Sequence, residues 1–422
     1  MSTLFGRYRG LPKEIYILFF ARVINSLGAF VYPLLTLILT VKLGMTEGEA
    51  GTLITILMAT QMPVMLLGGK LADRFGRRRL IIVFQYLGSA LYIACGIAPV
   101  SHATIYLIMA ASYFYALTFP ALDAVTMDLT EADQRKEAYA LIYMGFNLGF
   151  VFGPMIGGFL FNEHFSWLFI GDALTTAVST ALFMIFIRET LPRKGEKEEP
   201  DLERYSDETL LQVLWKRKII IVFALIMMAL QFTYSQWGFA LPIQLNALFG
   251  ESSGPAIYGG IASFNGFLVI VLTPLVTPLI RRTRALTGTL AGGLMYAAAF
   301  AMMLVIKDLY LFFISMFIFT FGEVIMTIDA GVFVAGMLPS SHRGRLDSIY
   351  SSISQTGRVI SPVIIGWVIS GSGLFAAWIL LSGAAVFGCA ALFALIRSKP
   401  GKKQIDMVSA INTPAAKAGY DA

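Results

Sequence analysis

Residues 68–81 read GGKLADRFGRRRLI, which places six charged side chains in fourteen positions. The chain around them is 57% hydrophobic and only 14% charged over 422 residues, against roughly 25% charged in soluble domains. Its mean hydropathy is +0.73. Much of such a surface needs lipid as its solvent, so a dense charged stretch marks a place where the chain leaves the lipid. An apolar run of about 20 residues crosses a hydrocarbon core as a helix. Read outward from 68–81 in a window of about 19 residues, the chain holds twelve such segments: 15–41, 50–69, 80–98, 103–127, 137–161, 166–188, 218–246, 256–280, 285–306, 309–337, 347–370 and 373–397. Strand-length segments of alternating polarity, the mark of a membrane barrel, do not occur. The expected fold class is an all-α polytopic membrane protein, with 68–81 as the loop between segments 2 and 3.

The first segment is too long for a signal-peptide core and is expected to stay in the mature chain. Net charge is +6, but its placement points away from a nucleic-acid partner. With the first residues inside, Lys13, the 70–79 cluster, Arg135, Lys136, the 188–218 loop, Arg281, Arg282, Arg284, Arg343 and Arg345 fall on one side of the bilayer, and only Lys42 and Lys307 on the other. Basic residues favour the cytoplasmic loops, so both termini are expected in the cytoplasm, with the lipid bilayer as the main surface partner. The two cysteines, Cys95 and Cys389, lie inside apolar segments and read as packed thiols. Three histidines in three separate loops, His102, His164 and His342, offer no zinc set. No metal or cofactor is expected, nor an enzyme's nucleophile-and-base pair. No G-x-x-x-x-G-K-[ST] loop is present for an ATP-driven pump.

The long polar stretch 189–217 divides the chain near its middle. The expected organisation is a cytoplasmic start (1–14), a six-helix bundle (15–188), a linker (189–217), a second six-helix bundle (218–397) and a tail (398–422). A shift of about 208–209 residues aligns the halves: Gly149 falls on Gly357, Ser26 on Ser235, Pro33 on Pro242 and Pro154 on Pro362. Such parallel repeats place a site near the mid-membrane between halves, with alternating access about it.

The run G-x-L-A-D-R-x-G-R-R over Gly69–Arg78 resembles the signature loop of the major facilitator superfamily. A second run, Gly145, Gly149, Gly153 and Gly157 with Pro154, is similar to the G-x-x-x-G-P-x-x-G-G motif of its twelve-helix drug/proton antiporters. The resemblance covers roughly 10–397 and implies a secondary transporter. Within the first motif, Gly69 permits close approach of segment 2 to the other half. Asp73 is placed to meet the start of segment 11, and Arg74 or Arg77 to reach Asp128. With Gly76 and Arg78 these residues read as a gate. The glycines of segment 5 present one smooth packing face, expected to meet the opposing half.

Charge inside the bilayer is costly, so ionisable residues there are candidates for function. Arg22 and Asp123 lie at similar depth and are expected to pair. Glu323, Asp329 and Arg358 lie in the second half, and Asp172 is nearer the outer side. A carboxylate deprived of water takes up a proton more readily and can answer to a proton gradient. Glu323, in TFGEVIM, resembles the segment-10 glutamate of proton-driven exporters. The position four residues before Pro242, where some relatives carry an acid, is Gly238 here. For the substrate, the candidates are Asn25, Tyr32, Tyr113, Tyr115, Gln231, Tyr234, Trp237 and Glu323, an aromatic lining with a few polar points that suits amphipathic ligands. The expected function is proton-coupled export of amphipathic organic compounds by a monomer. The alternative is a proton symporter of a nutrient such as a peptide, or a lipid or lysolipid translocator.

Overall fold

The computed structural model describes residues 10–131, 134–191, 218–280, 284–337 and 343–398. The N-terminal end, most of the linker and the tail read from the sequence fall outside them. Helices form nearly everything described, and no strand occurs among the described residues. They are α1a (Lys13–Leu27) and α1b (35–42), α2 (Glu47–Phe75), α3 (Arg77–Ile97), α4 (His102–Asp128), α5a (Arg135–Phe150) and α5b (Gly153–Glu163), α6 (Phe165–Phe186), α7a (Lys218–Tyr234) and α7b (240–249), α8 (251–280), α9 (Ala285–Met302), α10 (Leu309–Met337), α11 (343–372) and α12 (374–397). Nine helical runs among the described residues are long and apolar enough to cross a membrane. Two of those runs divide at Gly250 and Gly373, whose φ values of +77° and +84° suit only glycine well. With α1, whose two pieces are each short, that gives the twelve spans expected. The chain is a multi-pass membrane protein.

Three spans are broken where the sequence suggests continuity. In α1 the helix stops at Gly28 and resumes at Leu35. Pro33 lies inside this break, and a proline supplies no N–H and disfavours helix in the residue before it. α5 is interrupted at Val151–Phe152, with Pro154 at the start of α5b, where a proline's missing donor costs nothing. α7a passes into a 3₁₀ turn, Ser235–Trp237. The expected loop between α2 and α3 shrinks to one residue: Gly76, at φ +96°, turns the chain directly from one helix into the next.

The chain divides into two compact units, Met1–Lys197 with Leu241–Ile270, and Glu198–Ala240 with Val271–Ala422. This differs over 241–270 from the six-and-six division read in the sequence, for a local reason. α8 packs on α5b at positions without side chains: a Cβ on Gly158 would lie 2.6 Å from the Pro255 carbonyl oxygen, and Gly259 lies against the backbone of Pro154. In the first unit Ile15, Leu18, Ala72, Leu80, Ala121, Val125 and Phe183 form part of a buried core at the end of the bundle that carries 68–81, called the basic end below. In the second unit Tyr296 and Phe319 stack with ring centroids 4.5 Å apart, and Phe300 stacks on Trp378 at 5.9 Å.

Candidate functional site

Glu323 on α10, Tyr234 at the end of α7a and Arg358 on α11 meet in the second unit. Where α7a gives way to its 3₁₀ turn, Tyr234 points its hydroxyl at Glu323 and donates to Oε1 at 2.8 Å. The Arg358 guanidinium lies over the same ring, 4.7 Å from its centroid. A phenol thus joins the carboxylate and the cation that the sequence singled out. Its ring is attracted to the cation by its quadrupole, and the hydrogen bond that its hydroxyl donates is stronger while the acceptor is ionised. Behind it stand Phe319 at 5.7 Å and Tyr296 at 6.3 Å, so the group is backed by a packed aromatic wall. Trp237 belongs to that wall, 4.6 Å from Phe319, as a packed ring. Gln231, one turn before Tyr234, has a buried Oε1 that accepts no hydrogen bond.

Asp329 is brought to a different place. It lies six residues beyond Glu323, about 9 Å along the helix at 1.5 Å per residue, and it is only 4% exposed. Its carboxylate fits against Gly288 of α9, where a Cβ would collide with it, and its Oδ2 has no hydrogen-bond partner.

In the first unit Arg22 and Asp123 line one cavity of about 530 Å³. They sense each other's charge but form no ion pair, contrary to expectation. The Arg22 guanidinium instead lies over Phe146 of α5a, 5.0 Å from the ring centroid. Asn25 reaches the same cavity while its amide donates to Thr176 Oγ1 at 3.0 Å. Tyr113 bonds Thr60 through its hydroxyl at 2.7 Å. Tyr32 is 61% exposed. Tyr115 departs from its expected role as a cavity wall, since it packs inside the bundle against Gly88 and against the Tyr92 ring at 5.5 Å.

Asp172, weighed in the sequence as a membrane charge, closes the break in α1. Its Oδ2 accepts from the backbone N–H groups of Phe30 and Val31, both at 3.2 Å. A broken helix leaves donors without intrahelical partners, and lipid offers no water to satisfy them. The carboxylate serves both donors, and the Phe30 N–H also reaches Gly28 O at 2.7 Å.

The motif over 69–78 knits the basic end of the first unit. Arg77 pairs with Asp128 as expected, and its guanidinium also donates to Ala124 O at 3.2 Å. Arg78 donates to the Ile187 and Met184 carbonyls at 2.7 and 2.6 Å, satisfying the last turn of α6. Sequence reasoning missed Glu189, whose carboxylate accepts the backbone N–H groups of Arg77 and Arg78 at 3.0 and 3.2 Å and so caps α3. The available signal was an acid directly after an apolar segment. Asp73 and Arg74 are exposed at the end of α2. Gly69 keeps ordinary distance from Pro120 at 3.8 Å, and its neighbour Gly68 is the one pressed against the α4 backbone at Leu117.

The glycine face of α5 is a packing seam, but its partner is α1. A Cβ on Gly145 would lie 2.9 Å from the Phe19 ring, one on Gly149 2.5 Å from Val23 O, and one on Gly153 2.7 Å from Ser26 O. Gly157 faces Phe30 and Leu34, while the Pro154 carbonyl faces Gly259. The expectation that this face meets the opposing half is therefore corrected for these four glycines. The repeat is kept in the second unit, where Gly357 of α11 is pressed on the backbone of Met228 and Phe232 in α7a.

The model of the Major Facilitator Superfamily matches residues 18–330. A Na(+), Li(+), K(+)/H(+) antiporter of Planococcus maritimus is 24% identical, over 85% of this chain and 91% of that protein. The quinolone resistance protein NorA of Staphylococcus aureus is also 24% identical, over 84% and 90%. In three dimensions the chain is similar to a peptide transporter POT crystallised with sulfate, with a TM-score of 0.77 at 18% identity over 94% of this chain and 96% of that one. Twelve spans, the motif over 69–78 and a family match across most of the membrane part lead to one conclusion: the chain belongs to the Major Facilitator Superfamily and is a membrane transporter with that family's fold.

Proposed function

We propose that the chain is a proton-coupled exporter of amphipathic organic compounds, working by alternating access as a monomer in the cell membrane with both termini in the cytoplasm. It uses no cofactor beyond the proton gradient. The observation that carries the reading is the Tyr234 phenol held between Glu323 and Arg358. Ionised Glu323 draws the phenol's proton donor and, through the ring, keeps Arg358 in place. Protonated Glu323 loses the charge-assisted part of that bond, so Arg358 and α11 become free to shift. Proton occupancy thereby biases the packing of α7, α10 and α11 between two arrangements. The packed rings of Tyr296, Phe319 and Trp237 fix the position of the Tyr234 ring between the two charges. The match to a quinolone resistance protein supports the same direction of transport.

A second reading is exchange of a monovalent cation for a proton, which the match to a Na(+), Li(+), K(+)/H(+) antiporter supports. Asp329 would serve it, with a buried oxygen that has no hydrogen-bond partner. One experiment separates the readings. Purified protein in proteoliposomes with a pH-sensitive dye inside is challenged with amphipathic cations, peptides, lysolipids, Na⁺ and K⁺ in turn. Proton movement opposite to an amphipathic compound is expected. Movement only with Na⁺ or K⁺ would transfer the function to the second reading, and movement in the same direction as a peptide would make the chain a symporter.

A further inference from the structure

The cavity of the first unit has no part in the proton relay above, yet it is the right size for a small organic ligand, since such pockets run from about 300 to 1,000 Å³ and this one is about 530 Å³. Its walls are apolar over Met65, Phe119, Leu122, Ile142, Phe146 and Phe183. Two opposite charges reach it. Arg22 enters from α1a, its guanidinium over the Phe146 ring, and Asp123 enters from α4. They lie within each other's field but form no ion pair. The amide groups that border the cavity are engaged elsewhere: Asn25 donates to Thr176, and Gln85 accepts from Thr180 at 2.6 Å. Arg22 and Asp123 are the two charged groups of its lining, beside the polar Thr126, Tyr139, Tyr143 and Ser179, so charge recognition falls to the separated cation and anion.

We infer that this cavity is a binding site for zwitterionic amphiphiles, small molecules that carry one anionic and one cationic group on an apolar body. The anionic group would meet Arg22, the cationic group Asp123, and the body the aromatic and aliphatic wall. A singly charged ligand satisfies one pole and is repelled by the other, and a neutral ligand buries both without compensation. Only a ligand of both signs pairs each charge with a charge-assisted contact. The inference rests on the reading of the chain as a transporter of amphipathic compounds and specifies which of them it takes.

The test uses three probes with one aromatic body: naphthylalanine (zwitterion), naphthylethylammonium (cation) and naphthylpropionate (anion). Equilibrium binding to the full-length protein in phosphatidylglycerol nanodiscs, with no gradient, reads the cavity independently of coupling, so failure of the export reading would leave this result standing. Naphthylalanine should bind at least about tenfold more tightly than either relative, the factor that one charge-assisted contact supplies. Arg22→Gln should lower naphthylalanine to the level of the cation, and Asp123→Asn to the level of the anion. Repeating the measurement in phosphatidylcholine nanodiscs distinguishes the source of the natural ligand. Weaker probe binding there assigns the site to zwitterionic lipid headgroups, and unchanged binding to a soluble zwitterion. Equal binding of all three probes by the wild-type protein overturns the inference without any variant needing to fold, as does an unchanged zwitterion preference in both variants.

Discussion

Both units break their first helix near the same point of the repeat, and they close the break with different chemistry. In the first unit the Asp172 carboxylate takes two backbone donors of the α1 break at 3.2 Å each. In the second, the break after Tyr234 is a 3₁₀ turn closed by neutral groups. The Ser235 and Ser361 hydroxyls bond each other, and the Gln236 amide donates to Ser361 at 2.8 Å and to Ser235 at 3.1 Å. The cation and its aromatic partner also exchange helices. Arg22 stands on the first helix of its half with Phe146 on the fifth, whereas Tyr234 stands on the first helix of its half with Arg358 on the fifth. The duplicated frame kept the break and the glycine seam behind it, and reassigned the charges. One half devotes a buried carboxylate to backbone; the other leaves its carboxylate facing a phenol.

That contrast fails if Asp172 is not structural. Asp172→Ala leaves the Val31 donor without an acceptor and takes one of two acceptors from the Phe30 N–H, which keeps Gly28 O at 2.7 Å. It should destabilise the protein by about 2–4 kcal/mol, from about 1–3 kcal/mol for one buried unsatisfied group and about 1 kcal/mol for one lost hydrogen bond. Asp172→Asn keeps an acceptor oxygen and should cost only about 1 kcal/mol. Unfolding by sodium dodecyl sulfate titration measures both, and equal small losses would remove the capping role.

The seams should respond alike in the two halves. A methyl group on Gly149 would lie 2.5 Å from Val23 O, and one on Gly357 would collide with Met228, so Gly149→Ala and Gly357→Ala should each cost about 1–3 kcal/mol by overpacking. A loss at one and none at the other would show that the halves do not share the seam. The smallest effect is expected at the neutral break. Ser361→Ala removes one member of a hydroxyl cluster and should cost about 1 kcal/mol while leaving the proton response in place, which the pH-sensitive dye assay would read.

The twelve spans were legible because lipid imposes a length and a composition on every crossing segment, and no soluble pattern mimics twelve of them. The Arg77–Asp128 pair was legible because the motif and the end of α4 fall on the same side of the bilayer. The break in α1 was not, although Gly28 and Pro33 are visible, because an apolar run looks the same whether or not its helix is continuous. Four glycines spaced by four residues announce a face but not its neighbour, so the seam with α1 could not be told from one with the other half. Asp172 read as a membrane charge because the backbone donors it accepts, Phe30 and Val31, are turned toward it only once the chain is folded. Tyr234 was named for its aromatic ring, and its place between Glu323 and Arg358 required three helices to be put side by side.

The central claim is that the carboxylate of the second half carries the coupling proton while that of the first half holds a helix. It is tested most directly by substrate-driven proton flux in proteoliposomes, measured side by side for the wild type, Glu323→Gln and Asp172→Asn at matched folded protein. The account predicts that Glu323→Gln abolishes the flux and uphill transport driven by a pH gradient, yet stays as stable as the wild type within about 1 kcal/mol, and that Asp172→Asn keeps the flux while losing stability. Wild-type flux in Glu323→Gln, or loss of flux in fully folded Asp172→Asn, would contradict it.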